Sequence, residues 1–148
     1  MTELKDQQTQ SQAQDVEQKR QEWLRTHYQK ANQYLASKGE IPESVKLAES
    51  RYLVPFLAIW KIADKKKREH WVLSGDLPTD HMDAKNAPDA REALRCFALN
   101  WQMKAQQILN TGTKDETQLK YANILISRAE SMYEMVEKKE LWQQQANA

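Results

Sequence analysis

The chain has 148 residues, 22 Lys and Arg against 21 Asp and Glu, 40% hydrophobic residues and a single cysteine. That length buries about 68–70% of the unfolded surface, enough for one core without staples. The near-neutral balance lacks the dense positive face of nucleic-acid binders. No run of about 18 apolar residues is present to span a membrane, and Met1–Gln14 has no apolar signal core. Cys96 has no internal disulfide partner, so a reducing, cytoplasmic setting is expected.

Residues 1–15 are polar and Gln-rich and are expected to form a flexible arm, with residues 16–148 as a single domain. From Val16 to Ser37, Leu24, Tyr28, Ala31 and Leu35 recur at helical spacing, and Trp23, His27 and Tyr34 widen the stripe. Gly39 closes this helix and Pro42 prevents its continuation. Ser44–Ser50 is expected to make a short helical turn.

Tyr52–Ile62 is rich in aromatic and branched residues on both alternating faces, which predicts a strand covered on both sides. Pro55 marks an edge, a bulge or the strand start. Asp64–Glu69 reads as an exposed hairpin loop and His70–Ser74 as the return strand. Two strands alone are marginal in water. An open edge beside Pro55, or the face carrying Trp60 and Trp71, therefore suggests a homodimer contact.

Asn86-Ala87-Pro88-Asp89 is expected to open the next helix, with Asn86 as its cap. Ala90, Ala93, Leu94, Phe97, Ala98, Trp101, Ala105 and Ile108 form its core stripe, and Cys96, Leu99 and Met103 a second row that suggests contacts on more than one side. Gly112 ends it. Asp115 or Thr113 caps a last helix extending to about Trp142, through Leu119, Ala122, Leu125, Ile126, Ala129, Met132, Tyr133 and Val136. The predicted fold is α+β and helix-dominated: an N-terminal helix, a β-hairpin, then an antiparallel pair of long helices.

The segments Ser50–Pro55, Trp71–His81, Ala90–Arg95 and Trp101–Ala105 resemble a family of small bacterial proteins, domain of unknown function 4826. The resemblance covers about Trp23 to Trp142. It implies a bacterial protein without an assigned activity and carries over no catalytic residues.

The polar exit from the second strand is the candidate site. Asp76, Thr79, Asp80 and His81 are the expected binding surface, and Asp76, Asp80 and His81 are candidate ligands for zinc, manganese or iron. Their spacing matches no known metal signature. A structural account explains the same residues: Gly75-Asp76 turns the chain, Pro78 stiffens it, and Thr79 or Asp80 caps a short turn. No nucleophile elbow, His-Glu-x-x-His or phosphate-cradling loop occurs, so no catalytic residue or cofactor is assigned. The expected function is a non-enzymatic protein-interaction domain, adaptor-like or immunity-like, with another protein or a second copy as partner. The alternative is a small metal-dependent enzyme or sensor using Asp76, Asp80 and His81.

Overall fold

The computed structural model describes residues 2–143. Its first helix, α1 (Thr2–Ser37), buries Ala31 and Leu35 completely and half-buries Trp23, Leu24 and Tyr28, the stripe marked by the apolar spacing. The helix begins at Thr2 rather than near Val16, and residues 7–15 of the Gln-rich segment are exposed along it. Unbranched Gln, Lys and Glu favour the helix without an apolar stripe. Gly39, at φ 87°, ends α1: its N–H and that of Glu40 return to the carbonyls of Ala36 and Leu35.

The expected hairpin forms the centre of the sheet. β3 (Leu57–Asp64) pairs antiparallel with β4 (Glu69–Gly75), with Trp60 opposite Val72 and Ile62 opposite His70. Three shorter strands complete it. β1 (Pro42–Val45) and β2 (Arg51–Leu53) both line the other side of β3, and β5 (Asp80–Asp83) lines β4. The helical turn expected over Ser44–Ser50 is corrected: Ser44 and Val45 belong to β1, and only 47–49 form a turn. Pro55 lies between strands rather than inside one. The chain reverses from Leu53 to Leu57 around a cis Val54–Pro55 bond, with the Phe56 N–H on the Leu53 carbonyl at 2.8 Å.

Alternation along these strands separates two cores. Ala58, Trp60, Ile62 and Val72 pack with Ala31 and Leu35 of α1. Leu57, Ile59, Trp71, Leu73 and Met82 face the C-terminal helices, meeting Leu94, Phe97, Trp101, Leu125 and Met132. The result is three layers, helix on sheet on helix pair. Trp60 and Trp71 are therefore covered, and the β3 edge beside Pro55 is taken by β2.

After β5, Asp83 caps a single 3-10 turn, Ala84–Asn86. The cap of α2 (Ala90–Asn110) is Asp89, which accepts from the Glu92 N–H at 2.9 Å, and not Asn86, which closes the preceding turn. The core stripe of α2 is buried from Ala90 to Ala105, and Ile108 is partly buried. The second row is not a second contact face: Leu99 is 49% and Met103 54% exposed, and Cys96 is only partly covered. Asp115 caps α3 (Glu116–Glu137) through the N–H groups of Thr117 and Gln118. Ala93, Ala98 and Ala105 on α2 and Ala122 and Ala129 on α3 are buried small residues that let the two helices approach closely. α3 stops at Glu137, short of Trp142. A separate turn, α4 (Glu140–Gln143), folds back so that the Trp142 indole N–H donates to the Met135 carbonyl at 3.0 Å.

Candidate functional site

Gly75 directs the chain out of β4. Its φ is 142°, and a Cβ there would lie 2.5 Å from the Phe56 carbonyl oxygen, so the exit passes directly over the β2–β3 turn. The Asp76 N–H then bonds that same oxygen at 2.9 Å. The Asp76 side chain is exposed, with Arg128 of α3 at 4.0 Å.

Asp80 and His81 go elsewhere. One Asp80 carboxylate oxygen accepts the Trp101 indole N–H at 2.8 Å, and the other accepts the His81 backbone N–H at 2.8 Å. Burial, then the Asp80 charge, pushes the pKa of the Tyr34 hydroxyl up. His81 stands edge-on to the Tyr34 ring at 5.4 Å and has a buried Nδ1 without a hydrogen-bond partner. Burial lowers its pKa; Asp80 opposes the shift and nearby His70 reinforces it. Thr79 is half-buried at the entry to β5. The structure thus holds Asp80 and His81 at the β5 edge, Asp80 on Trp101 of α2 and His81 against Tyr34 of α1, and leaves Asp76 beside α3. The three metal candidates do not form a common ligand set among the described residues.

A different acid and imidazole group does gather: Glu40, Asp64 and His70 place one ligand atom each within 4.8 Å of one another. Asp64 is buried, and its Oδ1 accepts the backbone N–H groups of Lys66 at 2.8 Å and Arg68 at 3.0 Å, closing the β3–β4 turn. Its Oδ2 accepts from His70 Nε2 at 2.9 Å. The His70 hydrogen bond, aided by those backbone donors, holds the Asp64 carboxyl far below the usual carboxylate range. Arg68 bridges the set, reaching Glu40 at 2.6 Å and Asp64 at 3.3 Å. The guanidinium supplies the positive charge these carboxylates call for, and it ties the α1–β1 connection to the hairpin. Sequence reasoning missed this group because Glu40 is remote in the chain and Asp64 sits at the head of a Lys-Lys-Lys-Arg run that reads as a solvated turn.

A concavity lies at the opposite end of the sheet. It encloses about 620 Å³, within the range of about 300–1,000 Å³ common for ligand sites. Leu53, Phe56 and Leu57 from the β2–β3 turn form one part of its lining, and Met132, Met135 and Leu141 from α3 and α4 another. Phe56 is 56% exposed despite its size. Charged groups stand around this apolar floor: Arg20 from α1, Asp76 from the β4 exit, and Arg128, Glu134 and Lys138 from the end of α3. Asp76 is the one expected binding residue that the groove includes. No periodicity could reveal such a site, since its walls come from five separate parts of the chain.

Among the described residues, no helix is long and apolar enough to cross a membrane. No curated protein and no solved structure matches the chain. The family model of the Domain of unknown function DUF4826 matches residues 17–142. That stretch begins near the end of the exposed residues 7–19 of α1 and runs to Trp142, the last buried side chain among the described residues. The chain belongs to this family of unknown function.

Proposed function

We propose that this protein is a non-enzymatic recognition domain of the adaptor or immunity type, working in a reducing cytoplasmic setting and binding another protein through the groove at the β2–β3 turn. The carrying observation is the half-exposed Phe56 set in an apolar concavity of about 620 Å³ with charged groups around it. Aromatic anchors beside a polar rim are the anatomy of an interaction site. Methionines such as Met132 and Met135 adapt readily to a partner's shape. The rival reading, metal chemistry by Asp76, Asp80 and His81, requires side chains that the fold separates.

Affinity capture from an extract of the native cell tests this reading. A specific partner should be retained by the parent protein and by Leu99→Ser on the far helix face, and lost by Phe56→Ala and Leu141→Ala. Each variant should be shown to be folded by its thermal midpoint. A partner held equally by all four baits would place recognition elsewhere, and a second copy recovered as the partner would make the domain self-associating.

A further inference from the structure

We infer that the groove takes an acidic protein segment that carries a bulky apolar anchor residue, an inference that rests on reading the groove as a protein-recognition surface. Three cations stand on its walls, Arg20, Arg128 and Lys138, against two carboxylates, Asp76 and Glu134. The cations come from both sides of the sheet: Arg20 from α1, and Arg128 and Lys138 from α3 and its cap. Among the described residues, the ion pairs of the two arginines are long. Arg128 meets Asp76 only at 4.0 Å, and Arg20 meets Glu17 only at 3.9 Å, both beyond hydrogen-bond length. A guanidinium with unspent donors in a fixed fork is suited to a carboxylate in bidentate geometry.

The end of α3 would ordinarily repel an anion through its unpaired carbonyls. Here two of those carbonyls, Met135 and Val136, are already occupied. The Met135 oxygen accepts the Trp142 indole N–H at 3.0 Å and the Lys138 backbone N–H at 3.2 Å, and the Val136 oxygen accepts from Arg91 Nε at 2.8 Å. The positive groups therefore line the groove beside a helix end whose Met135 and Val136 carbonyls are already paired. Between them, Leu53, Leu57, Leu77 and Met132 provide an apolar floor for an anchor side chain. Acidic residues on either side of one bulky apolar residue satisfy both features at once. A basic segment would meet the larger set of like charges, and an all-acidic one would leave the apolar floor wet.

Selection of a random peptide display library on the full-length protein tests this directly, with Phe56→Ala as counter-selection to retain only groove-dependent binders. The parent should enrich peptides with Asp or Glu flanking Leu, Phe or Trp. Binding of a synthetic peptide of that pattern, read by fluorescence anisotropy, should weaken at least tenfold in Arg128→Glu/Lys138→Glu. The same double variant should shift its own selected pool toward Lys and Arg, a result that loss of folding would not produce. Groove-dependent peptides without acidic bias, or an unchanged bias in the double variant, would overturn the inference while leaving a groove-dependent partner in cell-extract capture intact. Absence of any groove-dependent peptide would also overturn it. A cell-extract partner that ignores Phe56→Ala is the separate failure, that of the recognition reading itself.

Discussion

The Trp101 indole donates a 2.8 Å hydrogen bond to the Asp80 carboxylate, joining the middle of α2 to the edge strand β5. The contact converts a residue that reads as a candidate ligand into a structural acceptor. Trp101 is buried among Leu94, Phe97 and Ala105, so Trp101→Ala removes both packing and this bond. A loss of about 3–5 kcal/mol is expected, measurable as reduced unfolding free energy in urea. Asp80→Ala should cost less, about 1–3 kcal/mol, because it leaves the indole N–H without its acceptor, and Asp80→Asn should recover most of that. An Asp80→Ala protein as stable as the parent would remove the structural account of this residue.

Gly75 carries the second prediction. Its backbone lies in a region L side chains rarely adopt, and the space a Cβ needs is filled by the Phe56 carbonyl and the Leu57 Cα, 2.5 and 2.6 Å away. Gly75→Ala must shift the β2–β3 turn against β4, and the groove with it. The thermal midpoint should fall, and so should the affinity of any groove ligand. Gly39→Ala, with open space around it, should cost only the strain of its φ of 87° and leave the groove unchanged.

Acid sensitivity follows from Asp64. Its folded-state pKa is depressed, so its stabilising contribution is complete above the ordinary carboxylate value of about 4 and is lost as pH falls below it. Asp64→Asn should lower the thermal midpoint at pH 7 and flatten its decline between pH 4 and 2, as followed by circular dichroism. An unchanged acid limb would show that other carboxylates set the transition.

A second pH window belongs to the histidines. Burial lowers the pKa of both His27 and His81, so each contributes stability that is complete above about 6.5, the ordinary imidazole value, and declines as pH falls through that region. The thermal midpoint should therefore drop from pH 7.5 to pH 5.5. His27→Gln/His81→Gln should make that slope shallower, and an identical slope in the double variant would exclude these two groups as its source.

Much of this organisation was legible in the residues. The buried stripe of α2 follows its three-and-four spacing from Ala90 to Ala105, and the β3–β4 hairpin announces itself through aromatic and branched runs, apolar on both faces, around a charged turn. The short strands β1, β2 and β5 did not show, because three or four residues carry too little alternation to stand out from a loop, and their strand geometry comes from the partner edge. Leu99 and Met103 misled for the opposite reason: periodicity reports that a face is apolar, not that anything covers it.

For the candidate site the division is sharper. Local chemistry marked Gly75, Asp76, Asp80 and His81 as a dense polar exit, and Gly75 does turn the chain there. Neighbours in sequence on a strand nevertheless point to opposite faces, and a loop can part residues four positions apart. So Asp80 goes to Trp101, His81 to Tyr34, and Asp76 to the groove. The sequence alone determined the long helices, the central hairpin and their order, since apolar spacing is a local property of each helix and strand. Only the tertiary structure decided which groups meet, because the Glu40–Asp64–Arg68–His70 cluster and the Phe56 groove exist solely where distant segments are packed together.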